Sequence, residues 1–193
     1  MARSPAPAST PTPRSLHSLP TRDEKGRYLA VVEATAGSRS KCKLEPALGV
    51  LVLHTMLPIG TSFPYTFGFL PSTLGEDGDP LDVLIFLDEQ VPPGVVVPCR
   101  LVGVIEADQT QEGKWIRNDR LLAVADKAHV YRRTQALADL DRSVLDEIEA
   151  FFVFYNAQKG KTFRVRSRRG RKAAEAQVAR GMRAYAGLGK PPG

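Results

Sequence analysis

The chain has 193 residues, of which 42% are apolar and 25% charged, as in an ordinary soluble domain. No apolar run approaches the roughly 20 residues needed to cross a bilayer, which argues against a membrane-embedded role. The formal net charge of +6 favours anionic partners but does not choose among them. Much of the excess lies in residues 164–183, where a basic stretch is usually a solvated face, so nucleic acid is not the expected partner.

Only two cysteines are present, Cys42 and Cys99, and they form no CxxC pair. This pattern argues against a disulfide framework and against a structural zinc site. A reducing, cytoplasmic location is the simplest interpretation.

Residues 1–20 are rich in Pro, Ser, Thr and Ala and predict a disordered leader, followed by one domain over residues 21–193. Short apolar runs broken by turn residues then predict strands at 28–33, 41–44, 50–53, 81–87, 95–105 and 121–125. Residues 58–71 are dense in Pro, Gly and aromatic side chains and predict a structured loop.

The helical pattern comes late in the chain. Ser143 and Asp146 form a capping-box start, and Gly160 lies just past the end of the apolar periodicity that follows. Residues 162–165 predict one more strand. A final helix carries a stripe of Ala174, Val178, Met182 and Tyr185. Strands followed by helices predict an α+β domain built on a small closed or partly closed sheet.

The densest candidate site is the segment Glu76-Asp77-Gly78-Asp79-Pro80-Leu81-Asp82. Crowded carboxylates repel one another, and a hard cation is a common reason to tolerate them. An acidic turn that caps a strand explains the same spacing, so both interpretations stay open. An EF-hand is excluded because Leu81 stands where an oxygen ligand is needed. A P-loop ending at Gly160-Lys161-Thr162 is excluded because its first glycine would fall on Tyr155.

The segment from Asp77 to Val83 resembles the D-x-D-P-x-D-V motif of family I soluble inorganic pyrophosphatases. Three further segments match that family in order and approximate spacing: Val31-Val32-Glu33, the aromatic loop Phe63 to Phe69, and Phe151-Phe152 to Tyr155. The resemblance covers about residues 28–165.

The resemblance implies a five-stranded barrel of the OB type flanked by C-terminal helices, and Mg²⁺-dependent hydrolysis of pyrophosphate to two phosphates. It also implies a homo-oligomer, commonly a hexamer in bacteria. The implied metal site comprises Asp77, Asp79, Asp82, Asp119 and Glu33 and holds two magnesium ions, with Asp79 deprotonating the attacking water. The implied phosphate ligands are Lys41, Arg120 and Tyr155.

Six positions depart from the family pattern. Lys43 replaces a glutamate, Thr55 an arginine and Phe67 a tyrosine, while Gln109, Asn118 and Asn156 replace two metal-binding aspartates and a lysine. Asn118 precedes Asp119, which would serve as a ligand if the long loop shifted its register. Two functions therefore stay open: a working but divergent pyrophosphatase, or a non-catalytic module that binds metal, phosphate or RNA for a partner.

Overall fold

The computed structural model describes residues 15–45 and 47–188. In this part of the chain the strands are β1 Tyr28–Ala34, β2 Ser40–Glu45, β3 Val50–Met56, β4 Thr66–Phe69, β5 Asp82–Phe86, β6 Val96–Gln111, β7 Lys114–Arg117, β8 Arg120–Ala125 and β9 Phe163–Gly170. The helices are α1 Arg142–Ala157 and α2 Arg171–Gly187, with short 3-10 turns at Leu16–Ser18 and Leu137–Asp139.

Five strands close into a barrel. β1 pairs with both β4 and β6, and the ring is completed by β4–β5, β5–β8 and β8–β6. The β5–β8 pairing is parallel and the others are antiparallel. All six residues of β8 are buried, as expected for a strand covered on both faces. The prediction of an α+β fold with a small five-stranded OB-type barrel is confirmed.

Three other strands extend or flank this ring. The 16-residue strand β6 continues past the barrel, where β7 and β9 pair with its far half. The hairpin β2–β3 forms a separate two-stranded sheet. The prediction ended β6 near residue 105, because the strand beyond it is polar. That extension nevertheless has partners on both edges, which satisfies its backbone.

Helix α1 begins two residues earlier than predicted. Its N-cap is Asp141, whose Oδ1 accepts from the backbone N of Ser143 at 2.8 Å, so Ser143 is not the cap. The helix buries Leu145, Ile148 and Phe152 against the barrel.

Helix α2 buries Ala174, Gln177, Val178 and Gly181, whereas Met182 is exposed. The buried stripe is rotated from the predicted one because Gly181 faces the segment before β5. A Cβ at Gly181 would lie 2.7 Å from Leu81 Cδ1. The glycine therefore allows the helix to approach that segment closely.

Two predicted irregular regions contain structure. The predicted loop 58–71 includes β4, which is buried at all four positions and inserts between β1 and β5. Residues 1–14 of the predicted leader lie outside the described residues. Residues 15–20 differ from the prediction, because the backbone O of His17 accepts from Ser72 N and that of Leu19 accepts from Ser72 Oγ, both at 2.8 Å. Neither α-helix of the described chain is long and apolar enough to span a membrane.

Candidate active site

One cavity of about 560 Å³ gathers most of the predicted site. Seven of the eight predicted residues line it: Glu33, Lys41, Asp77, Asp79, Asp82, Arg120 and Tyr155. Five of the six altered positions line it too: Lys43, Phe67, Gln109, Asn118 and Asn156. The sequence alone therefore identified a set of residues that are distant in the chain and close in space.

Backbone hydrogen bonds fix the aspartate segment. Gly75 N donates to Asp79 O at 2.7 Å, and Leu81 N donates to the buried Thr73 hydroxyl at 3.0 Å. Gly78 has a φ of 85°, which glycine adopts without strain. Asp82 then starts β5 opposite Phe69 of β4. These contacts hold the three carboxylates in a fixed order along the cavity edge.

Asp77 is the most perturbed of these carboxyl groups. Burial, followed by the neighbouring charge of Asp82, raises the pKa of Asp77 to about 6. Its partners carry no charge: Asp77 Oδ1 accepts from Asp79 N at 3.2 Å and Oδ2 accepts from Asn118 Nδ2 at 2.9 Å. Asp77 therefore lies in a region of excess negative charge that a bound cation would relieve.

The other two aspartates of the segment have cationic partners within the chain. Lys43 Nζ lies 2.7 and 2.9 Å from the two oxygens of Asp79. Arg120 Nη1 lies 2.8 Å from Asp82 Oδ2, in a position where the guanidinium is almost wholly buried. The cavity thus contains both signs of charge in close contact.

Lys41 and Glu33 form a buried ion pair with an N–O distance of 3.1 Å. Burial opposes the charged form of Lys41, but the carboxylates of Glu33 and Asp82 outweigh it and raise the pKa of Lys41. The ammonium also lies 4.5 Å from the ring centroid of Phe67. The ring that replaces the family tyrosine therefore still contacts this lysine through a cation–π interaction.

Aromatic packing holds Arg120 in place. Its guanidinium lies 4.6 Å from the ring centroid of Phe152 and 5.2 Å from that of Phe163. Arg120 Nε is buried and has no hydrogen-bond partner within the described structure. A donor left without a partner in a charged cavity is available to an anionic ligand.

The end of α1 contributes a cation that sequence reasoning missed. Lys159 Nζ donates to the Tyr155 hydroxyl at 2.5 Å, one turn along the helix, and Lys161 lines the cavity nearby. The i, i+4 spacing from Tyr155 was the signal that could have identified Lys159. Asn156 is buried, and its amide donates to Phe152 O at 2.9 Å. The lysine that the family pattern places at position 156 is therefore absent, and the chain instead has Lys159, three residues later, on the same cavity.

His17 and His54 also line this cavity and were not predicted. The β2–β3 register shifts between Lys41 and Cys42, so that Cys42 pairs with Leu53 and leaves His54 unmatched. Thr55, which the resemblance placed at an arginine position, does not line the cavity. A β-bulge of this kind cannot be deduced from the alternation of residues alone.

Asp119 is the predicted ligand that the structure does not bring to the cavity. Its Oδ1 accepts from Ala107 N at 2.8 Å, and it lines a neighbouring cavity of about 350 Å³ beside α2. The long loop forms the β6–β7 hairpin, with Glu112 and Gly113 both at positive φ. Because the hairpin absorbs the extra residues, Asn118 keeps the cavity-facing position and the register shift does not occur.

The residues present fit a divalent cation. No group of three or more His, Cys, Asp or Glu side chains among the described residues is arranged to hold a metal ion. Magnesium, however, is typically bound through one or two carboxylates, with water and substrate phosphate completing its shell. Asp77 and Asp82 both line the cavity, and their mutual repulsion is the electrostatic condition that such an ion relieves.

A cavity that combines carboxylates with buried cations defines a class of enzyme that handles a metal ion and a phosphate anion together. Comparisons with known proteins narrow this class. Residues 30–186 match the family described as inorganic pyrophosphatase. An inorganic pyrophosphatase of Thermus thermophilus is 35% identical over 177 residues, which cover 90% of this chain and 99% of that protein. An inorganic pyrophosphatase of Corynebacterium efficiens is 40% identical, and the match covers 67% of this chain and 80% of that protein.

Solved structures agree. A crystal structure of the Thermus thermophilus inorganic pyrophosphatase superposes with a TM-score of 0.81 at 34% identity, covering 90% of this chain and 99% of that one. A structure of an inorganic pyrophosphatase from Coxiella burnetii superposes with a TM-score of 0.78 at 27% identity, and the match covers 86% of this chain and 99% of that one. The chain belongs to the inorganic pyrophosphatase family. The comparisons do not favour the non-catalytic module.

Proposed function

We propose that this chain hydrolyses inorganic pyrophosphate to two orthophosphates with Mg²⁺, at the cavity described above. The observation that carries the proposal is the meeting of Asp77, Asp79 and Asp82 with Lys41 and Arg120 in one cavity of a family member. Water adds to one phosphorus, the P–O bond to the bridging oxygen breaks, and that oxygen leaves with the second phosphate. The water proton passes to the enzyme.

Asp77 and Asp82 would hold the divalent ion. When bound, Mg²⁺ supplies Lewis acidity that makes a water nucleophilic near neutral pH. Asp79 lies between them in the chain and is about half exposed, so its carboxylate oxygens can accept the water proton. The raised pKa of Asp77 in the metal-free protein is consistent with its proposed role as a ligand.

The cations of the cavity would bind the phosphates. Lys41 is held in its charged state by Glu33, which assigns Glu33 to positioning this lysine. The buried Nε–H of Arg120 has no partner among the described residues and would donate to a phosphate oxygen. Tyr155 would donate its hydroxyl, which already accepts a hydrogen bond from Lys159. Hydrogen bonds from charged donors to phosphate oxygens are among the strongest in proteins.

The test is phosphate release from pyrophosphate by the purified full chain. We expect Mg²⁺-dependent release that stops with EDTA and falls at least about a hundredfold in Asp77→Ala and Asp79→Asn, because each removes a group that binds the ion or accepts the proton. The matched control is Glu89→Gln, an exposed carboxyl outside the cavity. Wild-type turnover in a folded Asp77→Ala or Asp79→Asn protein would contradict the proposed site.

We also propose that the protein is a cytoplasmic homo-oligomer, with a hexamer as the specific expectation. Val153 and Phe154 on α1 are 46% and 38% exposed in the single chain, an apolar pair that self-association would cover. Light scattering coupled to size exclusion should give a mass several times 21.1 kDa. Val153→Glu should lower that mass, and a monomeric wild type would contradict the proposal.

A further inference from the structure

Lys43 reverses the charge that the family resemblance places at its position. Its ammonium contacts both oxygens of Asp79, at 2.7 and 2.9 Å, from strand β2. The two side chains are 37% and 49% exposed. An ion pair with this exposure adds little to stability, so its importance lies in where it places a positive charge.

The three aspartates of the cavity divide into two groups of different charge. Asp79 is neutralised by Lys43, which belongs to the chain itself. Asp77 receives only neutral amide donors, from Asp79 N and Asn118. Asp82 shares Arg120, which leaves the Asp77–Asp82 pair with one net negative charge. Among the three aspartates, this second group is therefore the one that attracts another cation.

We propose that the Lys43 ammonium takes the place of one divalent cation, so that the substrate-free chain binds a single divalent ion, at Asp77 and Asp82. The inference refines the proposed function, since the sequence resemblance implied two magnesium ions. An ammonium about 4 Å from a divalent ion repels it by about 2 kcal/mol even under the screening of water, which corresponds to about thirtyfold weaker binding.

The altered residues across the cavity agree with this assignment. Gln109 and Asn118 stand where the resemblance expected two metal-binding aspartates, and both side chains are neutral. A second ion bound at Asp79 would thus meet Lys43, which already contacts that carboxylate. The loss of ligand charge and the gain of Lys43 act in the same direction, toward fewer metal ions.

The test is a Mn²⁺ titration of the substrate-free full chain followed by electron paramagnetic resonance, which counts bound ions without any turnover. Mn²⁺ prefers the same oxygen ligands as Mg²⁺. Over one and the same range of Mn²⁺ concentration, we expect one ion per wild-type chain and two ions per Lys43→Glu or Lys43→Met chain, because the Lys43 ammonium weakens binding of a second ion by about thirtyfold. Lys161→Met, which removes a different lysine of the same cavity, should keep one ion.

Two or more ions on the wild type, or no second ion on the folded Lys43→Glu and Lys43→Met proteins, would overturn the inference. These outcomes are independent of the proposed function. A chain that shows the expected ion counts but releases no phosphate contradicts only the proposed hydrolysis. A chain that hydrolyses pyrophosphate with two ions bound before substrate contradicts only the role of Lys43.

Discussion

At the scale of single residues, the charge state of Asp77 links the cavity to stability. Burial and the charges of Asp82 and Asp79 disfavour its ionised form, so the folded chain binds a proton at this carboxyl more tightly than the unfolded chain does. The same carboxylate is held by Asn118 through a neutral hydrogen bond. Without a metal ion, ionising Asp77 therefore costs more free energy in the folded chain than in the unfolded chain.

This asymmetry predicts a pH dependence. The pKa of Asp77 rises from 3.8 to about 6 on folding, so its contribution to the free energy of unfolding is lost as pH rises from about 4 to about 6. Asp77→Asn should abolish this pH-dependent decrease in the free energy of unfolding. The decrease is at most about 3 kcal/mol, and it is smaller where solvent screens the group. Urea unfolding of both proteins at pH 4 and pH 7 in EDTA measures it. Equal pH slopes in the two proteins would show that Asp77 titrates normally.

At the scale of elements, α2 supports the aspartate segment. Leu74 N donates to Gly181 O at 3.0 Å, and Leu81 packs where a Cβ at Gly181 would stand. Because Leu81 precedes Asp82, the position of a predicted metal ligand depends on the close approach of this helix. The helix lies outside the cavity yet determines one wall of it.

We predict that Gly181→Ala destabilises the fold and weakens activity together. Overpacking against Leu81 costs about 1–3 kcal/mol, which lowers Tm by roughly 2–10 °C in a chain of this size. A displaced Asp82 should lower kcat/KM about tenfold. Gly187→Ala is the matched control in the same helix, since a Cβ there meets no atom within 4 Å, and its Tm should be unchanged or slightly higher. Equal Tm values for the two variants would rule out the proposed contact.

Strands marked by a clear apolar run could be predicted from the sequence, whereas strands that depend on pairing with other strands could not. The apolar runs gave β1 and β8 within a residue or two. The strand β4 was hidden because its four residues follow Pro64 in a segment that composition alone assigns to a loop. The polar end of β6 has no alternation that marks it as a strand, and only its pairing with β7 and β9 makes it one.

The proximity of the candidate site residues was predictable from the sequence, but the pairing of their charges was not. A motif gave Asp77, Asp79 and Asp82, and the structure places all three on the cavity. The contacts that decide its electrostatics, Lys43 with Asp79 and Arg120 with Asp82, join residues 36 and 38 positions apart in the sequence. Such pairs follow from the closure of the barrel, which no local pattern contains. The misplacement of Asp119 has the same origin, since a hairpin turn fixed the register.

At the scale of the whole molecule, part of the positive charge of residues 164–183 is paired within the chain. Arg164 and Arg166 both contact Asp108, and Arg168 contacts Asp146 and Glu149. This internal pairing supports the interpretation of residues 164–183 as a solvated face. The cations proposed to bind the substrate are those of the cavity, where they lie beside the aspartates.

The proposed cavity should convert pyrophosphate and water into two phosphates. Phosphorus NMR of pyrophosphate mixed with the full chain and Mg²⁺ tests it most directly, since substrate and product give separate resonances. We expect the pyrophosphate signal to be replaced by that of orthophosphate, and the replacement to stop when Asp79→Asn is used or EDTA is added. A pyrophosphate signal that persists with folded wild-type protein and excess Mg²⁺ would contradict it.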